Sequence, residues 1–188
     1  MLLINPNEMP GRNVDVDFVI DTNRINTRKS LPSMNRLEEW HQAGVIGMVI
    51  SETALAECNS PRRAEKARNY ICTRNRVRVL EEHERLRKIE AALSSSAEAK
   101  SENEWRDVLI VFNAGKYGDC LVTADGASRR QPGGILGNRK KLQELGIRVM
   151  TDSEAVAFVE ELIRYRDDRA RSVSRNTGKA LPSWVGRD

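Results

Sequence analysis

The chain has 188 residues, 39% hydrophobic and 31% charged, enough for one domain with a full apolar core and too short for two complete ones. Lys and Arg number 31 against 27 for Asp and Glu, a formal charge of +4 with a pI near 9.1. Aromatic residues are only 5%, which counts against recognition of single-stranded nucleic acid by rows of stacking rings. The longest apolar run, Val108 to Phe112, is too short to span a bilayer, and Met1 to Pro6 lacks a basic region followed by a long apolar core. Cys58, Cys72 and Cys120 are far apart and odd in number, so free reduced thiols in a cytoplasmic protein are expected.

In chain order, residues 1–15 read as an irregular arm with Asn-Pro and Pro-Gly pairs. Val16 to Ile20 is a short strand stopped by Asp21-Thr22-Asn23, and Arg24 to Pro32 is polar and loop-like. Ser33 caps a helix with Met34, Leu37 and Trp40 on its apolar side, ended by Gly44. Val45 to Ile50 is nearly continuous apolar sequence, the mark of a strand covered on both faces. Ser51 caps a helix carrying Leu55 and, about two turns in, Glu57. Asn59-Ser60-Pro61 starts another helix reaching about Cys72; Val77 to Leu80 is a short extended piece, and His83 to Leu93 is helical. Glu102 to Lys116 is a helix with Trp105, Val108, Leu109 and Phe112 on one face, stopped by Gly118. Cys120 to Thr123 is a strand ending in Ala124-Asp125-Gly126, and Gln131 to Asn138 a Gly-rich loop. A helix over Lys140 to Leu145 and a strand over Ile147 to Met150 precede a last helix capped by Ser153, with Ala155, Val156, Phe158, Val159 and Leu162 as its apolar face. Domain boundaries therefore fall at 1–15 for the arm, 16–168 for the folded domain and 169–188 for a basic polar tail.

Apolar strands alternating with helices predict an α/β fold, a three-layer α/β/α sandwich around a central parallel sheet. In such sheets ligands bind beyond the carboxyl ends of the strands, near a switch in strand order. Asp21 and Asp125 each follow a strand and should lie at that edge. Glu57 sits in the helix after the second strand, and Asp107 near the start of an otherwise apolar helix, where an unpaired charge is costly. A shared divalent cation would neutralise several such groups at once. The candidate ligands are all oxygen, with no paired His or Cys, which favours Mg²⁺ or Mn²⁺ over zinc; two ions about 4 Å apart fit such a set. Taken singly, each acid also has a local explanation. Asp21 can end a strand, Asp125-Gly126 can make a turn, Glu57 can face solvent, and Asp107 can favour a helix N-terminus through its dipole.

These motifs resemble those of the PIN-domain family. Val19-Ile20-Asp21-Thr22-Asn23 is similar to its opening motif. Ile50-Ser51-Glu52 through Leu55-Ala56-Glu57 is similar to its second, Asp107-Val108-Leu109-Ile110 to its third and Asp119-Cys120-Leu121-Val122-Thr123-Ala124-Asp125 to its fourth. The match runs in order from about residue 16 to 160. The resemblance implies hydrolysis of RNA phosphodiesters, with Asp21, Glu57, Asp107 and Asp125 as catalytic metal ligands. It also implies Asp119 as an additional ligand, with Asn23 and Thr123 supporting the site by hydrogen bonds. RNA is then the substrate, and many members are toxins held inactive by an antitoxin protein; a homodimer is a further expected partner, a membrane is not. Two features depart from the family: extra length at 59–100 and after 165, and Gly126-Ala127-Ser128-Arg129-Arg130 where an aromatic often comes after the last acid. Glu52 and Glu104 are rival carboxylates close to Glu57 and Asp107.

Positive charge clusters at 62–78 and 129–148, as phosphate-binding patches or as solvated helix faces. Arg129, Arg130, Arg139 and Lys140 flank the Gly-rich loop beside Asp125 and are candidate phosphate contacts; a merely flexible loop is the alternative. His41 and His83 adjoin no convincing nucleophile, which leaves triad chemistry little support. Besides a metal-dependent ribonuclease, the sequence admits a non-catalytic PIN-like module binding nucleic acid or protein, and, further off, a phosphatase or DNA nuclease using the same carboxylates.

Overall fold

The computed structural model describes residues 7–74, 76–94, 101–126 and 133–188. Five strands, β1 (Asp17–Ile20), β2 (Gly47–Ser51), β3 (Ile71–Thr73), β4 (Cys120–Val122) and β5 (Arg148–Met150), form one sheet in the order β3-β2-β1-β4-β5. Every pairing is parallel, with Phe18 against Met48 on one side of β1 and Cys120 on the other. The helices are α1 (Pro32–Gln42), α2 (Glu52–Ala56), α3 (Pro61–Ala67), α4 (Leu80–Leu93), α5 (Glu102–Tyr117), α6 (Gly134–Gly137), α7 (Arg139–Glu144) and α8 (Asp152–Thr177). α1 and α8 pack together on one layer, while α5 lies across β1, β2 and β4 with α4 beside it. This is the expected α/β/α sandwich.

The burial pattern explains which strands announce themselves in sequence. Phe18, Val19 and Ile20, Met48, Val49 and Ile50, and Cys120, Leu121 and Val122 are all buried, because the three central strands are covered on both faces. β3 is an edge strand with Ile71 and Cys72 exposed. It lies where the sequence predicts the end of a helix: α3 stops at Ala67, and three residues with one solvated face and no apolar run leave no strand signature.

Three elements differ from expectation. α1 begins at Pro32 with Leu31 before it rather than on a Ser33 cap, using the proline at the position where its missing N–H costs nothing. α8 is capped by Thr151, not Ser153: its hydroxyl accepts from the Glu154 amide (3.2 Å), and the Glu154 carboxylate accepts from the Thr151 amide (2.8 Å). The Gly-rich stretch contains a helical turn, α6.

The expected tail from residue 169 is also corrected. α8 runs on to Thr177 and stops at Gly178, which adopts the left-handed conformation (φ 71°). Ala170 and Val173 are buried, and the last residues fold back so that Trp184 lies over Arg166 and Asp188 pairs with Arg12 and Arg166. Composition hid this, because the apolar positions of the last two helical turns are few and spaced between arginines. No helix among the described residues is long and apolar enough to cross a membrane.

Candidate functional site

In this strand order the chain adds β2 and β3 on one side of β1, then returns to add β4 and β5 on the other. The reversal falls between β1 and β4, and the crevice at their carboxyl ends is where such a sheet receives a ligand. Asp21 occupies that point. It comes directly after β1, its amide donates to Val122 O (3.1 Å), and it is only 5% exposed.

Two side chains stitch the strand ends together around Asp21. Its Oδ2 accepts from Thr123 Oγ1 (2.5 Å) and Asn23 Nδ2 (2.7 Å). Asn23 Oδ1 accepts from the Ala124 amide (3.1 Å), and Thr123 Oγ1 from the Asp125 amide (2.9 Å). Asn23 and Thr123 thus make the kind of hydrogen bonds expected of them. Asp125 is held in turn by α6: its Oδ2 accepts from the Ile135 amide (2.7 Å) and its carbonyl from the Leu136 amide (2.9 Å). Gly134 makes this approach feasible. A Cβ there would lie 2.4 Å from Gly126 Cα and 2.7 Å from Asp125 Oδ2, and its φ is +39°.

Glu57 stands at the C-cap of the five-residue α2, just past the helix rather than two turns into it, and its Oε2 accepts from Thr22 Oγ1 (2.6 Å). Asp107 lies in the second turn of α5, half-buried, and has no hydrogen-bond donor among the described residues. Burial pushes its carboxyl up to about 7, helped by the charges of Asp125, Asp21, Glu57 and Glu104. Burial likewise pushes Asp21 up to about 6, against the hydrogen bonds from Thr123 and the Thr22 amide and with the charges of Glu57 and Asp125. The charges of Glu57 and Asp125 therefore reach both Asp21 and Asp107. Of the rivals, Glu104 belongs to this electrostatic neighbourhood and Glu52 is an exposed first-turn residue of α2.

Proximity is not ligation. Among the described residues no group of three or more His, Cys, Asp and Glu side chains is arranged to hold a metal ion. Glu57 is turned to the Thr22 hydroxyl and Asp125 to the Ile135 amide, each taking the donor within its reach. The donors themselves, hard carboxylate oxygens with amide and hydroxyl support, suit Mg²⁺ or Mn²⁺.

Asp119 does not join the constellation. It precedes β4, its Oδ2 accepts from the Asp17 amide (2.8 Å), and it lies at the amino edge of the sheet, a strand length of roughly 13 Å from Thr123. The motif placed it by adjacency in sequence, but a strand carries its two ends to opposite edges. Arg139 and Lys140 border a cleft of about 460 Å³ on β5 that Arg148 also lines, and Arg139 is paired with Glu154 (3.0 Å). Arg129 and Arg130 lie outside the described residues. His41 has its two ring nitrogens 3.3 and 3.4 Å from the Ile46 and Asn69 carbonyls and its ring edge-on to Tyr70.

Sequence reasoning passed over four contributors: the Thr22 hydroxyl, the α6 amides, Gly134 and Arg63, whose Nη2 donates to Thr22 O (2.6 Å). A signal existed for Gly134, since paired glycines near an Asp-Gly turn suit two backbones crossing closely. Nothing local marked the others. In comparisons with known proteins the chain matches no family model and no curated protein.

Proposed function

We propose that this protein is a divalent-cation-dependent ribonuclease of PIN-like architecture, with Asp21, Glu57, Asp107 and Asp125 as its cation-binding acids. The observation that carries it is the meeting of four acids from four separate segments at the strand-order switch, with Asp21 and Asp107 pushed up to about 6 and 7. A buried carboxyl without a donor, surrounded by further carboxyls, is costly unless a cation compensates it. Mg²⁺ or Mn²⁺ bound there supplies an activated water and stabilises charge on a phosphoryl group. The chain's own residues do the rest. Thr123 and Asn23 fix one oxygen of Asp21, and the Ile135 amide fixes one oxygen of Asp125. Arg139, Lys140 and Arg148 supply positive charge along β5 for RNA phosphates. The toxin of a toxin–antitoxin pair is one role that such an activity fits.

The test is cleavage of RNA, DNA and a small phosphomonoester with Mn²⁺, Mg²⁺ or EDTA. RNA cleavage that needs the metal and is reduced to background in Asp21→Asn and Asp107→Asn is expected. A second reading, a PIN-like module that binds nucleic acid or protein without cutting, is favoured by the lack of a ready-made ligand group among the described residues. RNA binding without cleavage, indifferent to Asp21→Asn, would decide for it.

A further inference from the structure

We infer that Arg63 is the residue that receives the RNA phosphate beside the acids, a role that rests on the ribonuclease reading. The need for such a residue comes from charge. Four carboxylates and one divalent ion leave a net charge of about −2, which repels an incoming phosphodiester unless a fixed cation stands at the rim. Among the described residues, Arg24 belongs to the loop that carries Asp21 and Thr22, and Arg63 reaches it from α3. Arg24 is already spent: Nε donates to Asn23 O (3.1 Å) and Nη1 pairs with Asp152 (3.3 Å). Arg63 is not. Its Nη2 donates to Thr22 O (2.6 Å), and among the described residues it forms no ion pair and no other side-chain hydrogen bond.

That single bond orients the group. Thr22 carries Arg63 on its carbonyl and Glu57 on its hydroxyl (2.6 Å), so one residue holds the guanidinium and an acid of the site side by side. The backbone end of Arg63 is fixed as well, because its amide donates to the Ser60 hydroxyl (3.3 Å) at the start of α3. Arg63 is half-buried, which weakens solvent competition for the remaining N–H donors. A planar guanidinium held by one edge presents two parallel N–H groups at another, the geometry that grips two phosphate oxygens at once. Lysine cannot reproduce it, and Arg139, near β5, is already paired with Glu154.

The experiment measures binding of a fluorescein-labelled single-stranded RNA in Mn²⁺ across a salt series, in an Asp21→Asn background that does not cut, together with KM for cleavage in the otherwise native chain. Arg63→Ala is expected to weaken binding and raise KM by about tenfold and to lower the salt slope by about one charge. Arg63→Lys should recover part of the affinity. Arg63→Gln removes the charge while keeping a polar side chain, so it reads the charge even if the alanine variant folds poorly; the same loss is expected. Arg36→Ala, remote on α1, should change nothing. Affinity, slope and KM unaltered in Arg63→Gln, with native cleavage intact, would overturn the assignment and leave the ribonuclease standing. A native chain that neither binds nor cuts RNA would overturn both.

Discussion

Two of the places where this molecule buries charge do so in opposite ways. Along α8, Arg166 is 4% exposed and fully matched: Nε and Nη2 donate to Asp167 (3.0 and 2.7 Å), Nη2 also pairs with Asp188 (2.9 Å), Nη1 donates to Arg12 O, and the Trp184 ring centre lies 4.3 Å from the guanidinium. At the switch between β1 and β4, acids face acids, and Asp107 lacks even a hydrogen-bond donor among the described residues. The first arrangement closes a structure on itself, tying the N-terminal arm and the chain's last residues to one helix. The second gives Asp107 no such partner among the described residues, and on the proposed reading a bound cation would supply the missing charge. Burial of charge alone does not distinguish a site from a scaffold; the presence of an internal counter-charge does.

The sharpest way to break the comparison is to remove Arg166. Arg166→Ala takes from Asp167 and Asp188 the buried cation that joins them, and should cost about 3–5 kcal/mol. Urea denaturation measures it, and a cost below about 1 kcal/mol would mean that the clasp is decorative. Next in size is Gly134→Ala, which forces a Cβ into Gly126 and Asp125 Oδ2. The strain is of order 1–3 kcal/mol, relieved by moving α6 away from Asp125 and Gly126. RNA cleavage should therefore fall by more than the loss of stability explains, because the variant displaces Asp125, a cation-binding acid on the proposed reading, rather than deleting it. Unchanged cleavage would remove Asp125 from the site.

How far the sequence carried this distinction depends on range. Asp21, Asp125 and the strands before them were legible because three buried central strands write continuous apolar runs, and a residue just past the end of a parallel strand lies at the sheet's carboxyl edge. The α/β/α architecture was legible for the same reason. Asp119 was misplaced by treating a motif as a point when it spans a strand from edge to edge. β3 was missed because an exposed three-residue edge strand has no pattern of its own. The α8 clasp was invisible: its partners, Arg12 and Asp188, lie 176 residues apart, and each looks like an ordinary surface charge in a polar segment. The bonds that aim Glu57 and Arg63 at Thr22 are likewise tertiary, decided by how α2 and α3 pack beside β1 and not by any spacing along the chain.

The effect that contrasts the two regions most directly is the pH dependence of stability without metal. Burial pushes the Asp188 carboxyl up, but Arg12 and Arg166 together hold it below its ordinary value. A carboxyl depressed in the folded state binds fewer protons than in the unfolded chain, so its stabilisation is present above about pH 4 and is lost on further acidification. Asp107 and Asp21 have the opposite sign. With folded values of about 7 and about 6 against about 3.9 unfolded, the native state holds the extra protons, and stability falls as pH rises from about 4 to 7. Metal-free protein should therefore melt highest near pH 4 to 5 and at progressively lower temperature up to about pH 8. Asp107→Asn should flatten the upper decline and leave the acid limb untouched; Arg12→Ala should weaken the acid limb and leave the upper decline. Mn²⁺ should also abolish the decline, since an ion that binds only the folded, deprotonated acids stabilises where they are charged. A melting temperature that rises steadily from about pH 4 to 8 without metal would show that the acids at the switch already have their counter-charge inside the protein.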